Sequence, residues 1–216
     1  MTSQNKPQQH GFTIIELLIV IVVIGILAAI VIVAYNGVAV RARNAAWVTE
    51  FDGYHKLFLA YRLQNGKYPS MPINDRYCLG ESNFQASEIN PIIASVGSSA
   101  FTPISPPYNP QGYCRDLLSG TTRHESNATL NAALATAGKV SSKQKTRADW
   151  PDTRHAAAGM TASYQEYTSD PMSGIWLGVI LNNAAGECPP NINDRHYDYG
   201  ESDAVYCEVR LPEAPF

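Results

Sequence analysis

Glu16 is the residue whose type and place most plainly call for a chemical partner. It is the only ionisable side chain between Phe12 and Ala34, a run that is otherwise apolar apart from Thr13. A carboxylate inside a bilayer-length apolar helix costs at least ~2.5 kcal/mol even on the lenient insertion scale, so such residues usually pair with a cation or serve a function. The other reactive side chains lie beyond this run. Cys78, Cys114, Cys188 and Cys207 are an even set beyond the apolar run, in a chain that would be exported, which reads as disulfides, and four cysteines permit three connectivities. No CxxC pair or HExxH pattern offers metal-ligand spacing. Lys139, Lys143, Lys145 and Arg147 form a basic run, and Ser142 with Lys145 makes an SxxK string without its partner motifs. With no GxSxG, phosphate loop or paired catalytic carboxylates, the chain reads as a non-enzyme and implies no cofactor or metal.

The element that must position Glu16 is the apolar run itself. A secretory signal peptide carries a shorter apolar region of roughly 7 to 15 residues. Here the run reaches the ~20 residues that a hydrocarbon core of ~30 Å requires, so residues 12–34 are expected to span a membrane as a helix. Helical patterning continues past it. Val40, Trp47, Phe51, Tyr54, Phe58 and Tyr61 recur at helical spacing as one apolar stripe, while Arg41, Arg43, Glu50, Asp52, Lys56 and Arg62 fill the other faces. No proline falls between Phe12 and Gln64, and Asn65-Gly66 followed by Tyr68-Pro69 is a stop signal. One helix roughly 80 Å long is therefore expected, at about 1.5 Å per residue. Its first half is all apolar and its second half, residues 35–65, amphipathic. Gly25, Gly37 and Gly53 are its weak points.

The string Gly11-Phe12-Thr13-Ile14-Ile15-Glu16-Leu17-Leu18-Ile19-Val20, continuing to Gly25-Ile26-Leu27-Ala28-Ala29-Ile30, resembles the class III signal of type IV pilins and pseudopilins. The resemblance implies that residues 1–11 are a leader, that a prepilin peptidase cuts after Gly11, and that Phe12 becomes an N-methylated terminus. It also makes Glu16 the family's fifth-position glutamate. Cleavage would create an ammonium group at the edge of an apolar helix, and Glu16, on the same or a neighbouring subunit, would neutralise it. Because an unpaired buried charge costs several kcal/mol, such pairing would favour one axial register of subunits. Many relatives have a proline near the middle of the apolar stretch, where this chain reads Ile30-Val31-Ile32-Val33-Ala34.

Residues 66–216 are expected to form an extracellular domain, giving an α+β, pilin-like chain in which the long helix packs on a small antiparallel sheet. Five prolines between residues 91 and 110 argue against regular structure over much of 90–111. A short helix is expected from Ser126 to Ala137, ended by Gly138. Val205, Cys207, Val209 and Leu211 alternate with Tyr206, Glu208 and Arg210, which predicts a half-buried strand with Cys207 inward. Gly174 to Leu181 is apolar enough for a central strand, antiparallel to the first and packed on the Trp47/Phe51/Phe58 stripe. Chain order and this hairpin favour Cys78 with Cys114 and Cys188 with Cys207.

The formal net charge of −3 gives no general pull toward nucleic acid. If the filament binds DNA or an anionic surface, the basic run with Arg123 is the first place to look. The leading expectation is a structural subunit of a type IV pilus-like filament, serving adhesion, motility or DNA uptake. It would be a single-pass cytoplasmic membrane protein before assembly and extracellular afterwards. Its partners would be further copies of itself in a helical polymer, the prepilin peptidase and the assembly platform in the membrane. The alternative is a pseudopilin or minor pilin of a type II secretion or competence system. A membrane-anchored binding module is the reading from a different class.

Overall fold

The computed structural model describes residues 13–73, 75–80, 84–96, 103–110, 112–114, 124–139, 147–149, 156–166, 173–182, 188–192, 194–198 and 204–213. The chain divides into two units, Met1–Arg43 and Asn44–Phe216. Helix α1, Ile14–Asn65, runs without interruption through Gly25, Gly37 and Gly53. It stops where the sequence predicts. Gly66 adopts φ 73° and its N–H donates to the Arg62 carbonyl at 2.8 Å, the left-handed cap that glycine forms without steric cost.

In the first unit the apolar side chains of α1 from Ile14 to Ile32 face outward, from 85% exposed at Ile14 to 48% at Val23. By length and composition this is a helix able to cross a membrane. A contiguous exposed apolar surface of this kind has the character of a membrane-facing or protein-facing interaction surface.

The second unit adds β1 (Asp75–Cys78), α2 (Ala86–Val96), β2 (Tyr113–Cys114), β3 (His124–Ser126), α3 (Ala128–Ala137), β4 (Arg147–Asp149), β5 (Ala156–Ala158), β6 (Met160–Gln165), β7 (Gly174–Asn182), β8 (Arg195–Asp198) and β9 (Ala204–Arg210). The main sheet has the order β2-β3-β1-β6-β7-β9-β8, and β4 pairs with β5 apart from it. Its pairings are antiparallel except β1 with β3. Strand β7 is central and pairs antiparallel with β9 from Trp176↔Arg210 to Asn182↔Ala204. Trp47, Phe51, Tyr54 and Phe58 are buried against Leu177, Val179 and Leu181 of β7, Val205 and Cys207 of β9, and Leu130 and Leu134 of α3. The helical stripe and the period-two face of the sheet thus supply the two halves of one core.

Three expectations change. Helix α2 forms with Pro91 inside it and runs to Val96, whereas the prolines argue against regular structure over much of 90–111. A local cap offsets the proline: Glu88 Oε2 accepts the Gln85 N–H at 2.7 Å. Pro91 then forfeits one backbone bond, to the carbonyl of exposed Ser87. Helix α3 begins two residues later than expected, because Ser126 belongs to β3 and Asn127 is the cap, its side chain accepting from Leu130 N–H at 3.0 Å. Tyr206 and Glu208, expected on the solvated face of β9, are 0% and 1% exposed. Their burial is explained by polar partners on other strands.

Candidate functional site

Glu16 lies in the first turn of α1, where Thr13 is the residue ahead of the helix. Its Oε2 accepts both the Thr13 N–H, at 2.8 Å, and the Thr13 hydroxyl, at 2.8 Å. The Glu16 N–H donates back to Thr13 Oγ1 at 3.3 Å. This is a reciprocal capping box, which satisfies amide donors that a helix start leaves without intrahelical partners. The T-x-x-E spacing of Thr13 and Glu16 is its sequence signature, and Thr13 is the residue the family resemblance alone passes over. Both donors converge on one oxygen. Oε1 accepts from nothing among the described residues, so the carboxylate is oriented while half of its capacity stays open to a cation.

Gly11 and Phe12 lie outside the described residues. The four cysteines form two disulfides, Cys78–Cys114 and Cys188–Cys207. The first joins β1 to β2 across β3, and the second ties the segment ahead of the Pro190–Ile192 turn to the middle of β9. On the loop-closure picture each contributes about 3 to 4 kcal/mol. Of the basic run, Lys139 follows α3 beside a groove lined by Thr49, Glu50, Gly53 and Leu57. Arg147 is in β4. Arg123, Lys143 and Lys145 lie outside the described residues.

A polar cluster sits on the sheet face opposite α1. Arg76 of β1 donates to the Tyr206 hydroxyl at 2.7 Å and pairs with Glu208 Oε1 at 3.1 Å. The Tyr206 hydroxyl donates to Glu208 Oε1 at 2.8 Å and lies 2.8 Å from Thr161 Oγ1. Burial, reinforced by the Glu208 charge, pushes the Tyr206 hydroxyl far above the ordinary tyrosine range. The cluster braces β1, β6 and β9. One sequence signal points to it: Gly178 in the middle of an apolar strand marks a close approach by another group.

Comparison with known proteins bears on the amino-terminal part. Residues 6–32 match the family model for the prokaryotic N-terminal methylation motif. The chain is 48% identical over 62 residues to a type IV major fimbrial protein FimA of Dichelobacter nodosus, covering 29% of this chain and 38% of that protein. A second FimA of the same organism is 49% identical over 61 residues, 28% of this chain and 37% of the relative. The FimA of Dichelobacter nodosus strain VCS1703A is 48% identical over 65 residues, 30% and 40% respectively. The chain thus spans roughly two fifths of the length of these relatives. No solved structure matches it.

Proposed function

We propose, from the match of residues 6–32 to the prokaryotic N-terminal methylation motif and the likeness of the amino-terminal part to type IV fimbrial proteins, that the protein is a structural subunit of a type IV pilus-like filament. In this reading residues 12–34 hold the precursor in the cytoplasmic membrane, and a prepilin peptidase removes residues 1–11. Phe12 then carries a methylated ammonium, and the assembly platform extracts the subunit into a helical polymer of identical copies. The observation that carries the reading is the Thr13–Glu16 cap at the head of an outward-facing apolar helix.

Thr13 fixes Oε2, which leaves Oε1 for the ammonium of the same chain or of a neighbour. In a lipid-free core that ammonium has no water to replace a missing partner, so the pair favours the register that brings it together. The disulfide-closed second unit would face outward, where an oxidising exterior keeps both bridges intact.

The test is mass spectrometry of the chain recovered from sheared surface filaments. A terminus at Phe12, with the mass of one added methyl group, is the expected result. An intact Met1 terminus, or absence of the chain from filaments, would sink the proposal.

A further inference from the structure

A cavity of about 280 Å³ opens at the end of the sheet where β6 finishes and β7 begins. Its floor is apolar, from Ile175, Leu211 and Pro212, and half-buried Tyr68 and Tyr164 line it. Two arginines hold its shape. Arg62 donates to the Pro212 carbonyl at 3.1 Å and sits 5.3 Å from the Tyr68 ring centre, while Tyr68 donates to the same carbonyl at 2.9 Å. Arg210 donates to the Ser173 carbonyl and to Glu213 Oε1, the latter at 2.5 Å.

Two polar groups of the lining remain free among the described residues: the Tyr164 hydroxyl and Glu213 Oε2. Tyr164 can donate and Glu213 can accept. The Glu213 charge is already matched by Arg210, so the cavity offers no unbalanced negative charge to attract a cation. It presents aromatic and aliphatic surface beside one donor and one strong acceptor. That is the chemistry of a neutral ring with apolar C–H faces and hydroxyls at its edge. The volume lies just below the ~300 to 1,000 Å³ usual for drug-sized ligands, which suits one ring rather than two.

We propose that this cavity binds the terminal hexopyranose of a surface glycan, stacked on the tyrosines with its hydroxyls on Tyr164 and Glu213. The site lies wholly within the second unit and does not depend on the filament reading.

The experiment is saturation-transfer NMR and calorimetric titration of the full chain in a non-glycosidic detergent. The probes are the methyl glycosides of glucose, galactose, mannose and N-acetylhexosamines, each also presented on a soluble polymer. At least one glycoside should bind with a Kd of about 1 mM, as expected for so few atoms, and its polymer conjugate should compete. Tyr164→Phe should weaken binding about tenfold, the loss for one unsatisfied polar contact, and Glu213→Gln should do likewise. Lys139→Ala, outside the cavity, should change nothing. Tyr164→Phe must melt at the same temperature as the parent chain, and binding lost only alongside unfolding counts against the site. The proposal is overturned if no glycoside binds at 20-fold above that concentration, roughly 20 mM. It is equally overturned if only free reducing sugar binds, if tetramethylammonium competes, or if both cavity variants bind as the parent does.

Discussion

The hydroxyl of Tyr206 occupies the space that a side chain at Gly178 would need. A Cβ placed on Gly178 would overlap the Tyr206 oxygen and the ring carbon that bears it, and would lie 2.7 Å from the neighbouring Cε2. The missing side chain on central strand β7 is therefore what lets a tyrosine from β9 lie across it and reach Arg76 on β1. Gly178→Ala should destabilise the second unit by about 3 kcal/mol, at the upper end for overpacking a close-packed interior. Urea unfolding would measure it. Combined with Tyr206→Leu, the alanine should cost markedly less than the sum of the single changes; strict additivity would argue against the contact.

The buried hydroxyl predicts an alkaline weakness. Tyr206 holds its proton far above 10.0, and Tyr77, desolvated and beside Asp75, is pushed up to about 12. Above pH 10 the unfolded chain releases these protons while the folded chain retains them, so stability falls as pH rises. It should be flat from pH 8 to 9.5 as far as these groups are concerned, and decline between pH 10 and 11.5. Tyr206→Phe should shallow that decline while lowering neutral-pH stability by about 1 to 3 kcal/mol, because Arg76 and Glu208 lose a partner. An unchanged alkaline slope would contradict the assignment.

At the head of α1, Glu16→Ala and Glu16→Gln separate capping from charge. Either variant should still be cleaved after Gly11 and inserted. Glutamine keeps an acceptor for Thr13 but carries no charge for an ammonium, so filaments should be lost in both. Thr13→Ala should remove about 1 kcal/mol of capping and reduce filament yield without abolishing it. Immunoblots of sheared and membrane fractions report all three. Normal filaments from Glu16→Gln would mean that the charge is dispensable.

The two bridges should be separable by mutation. Cys188→Ser with Cys207→Ser should cost about 3 kcal/mol, and Cys78→Ser with Cys114→Ser slightly more, since its loop is longer, 36 residues against 19. Urea midpoints under oxidising conditions give both values. A reductant should bring the parent chain to at least the loss of the worse variant.

Much of this architecture is legible in local sequence patterns. The stripe from Trp47 to Phe58, the stop at Gly66 and the β7/β9 pair are all written in contiguous residues, because helix and strand periods show wherever one face is buried. Tyr206 and Glu208 escape such patterns for the opposite reason. Alternation marks a residue as polar but does not reveal that Arg76, 130 positions away from Tyr206, arrives to satisfy it. Pro91 misleads in another way. The helix-breaking rule is statistical, and here a glutamate three residues upstream caps the start, while the Asn90 side chain bonds both polar groups of the Ile104 backbone, at 2.9 and 2.8 Å. For Glu16, the motif suggests the proposed assembly role and the geometry adds Thr13 as its orienting partner.

The clasp of Arg62 and Tyr68 on the Pro212 carbonyl also has a mechanical meaning. It fastens the far end of α1 to the segment that follows β9, where two donors share any load on one carbonyl. A subunit hauled by its helix would pass the load through that joint into β9, which Cys188–Cys207 anchors covalently. The joint is then one place, beside the packed stripe from Trp47 to Phe58, where the second unit resists tension, and Arg62→Ala should lower the force at which single molecules yield while leaving quiescent folding nearly unchanged.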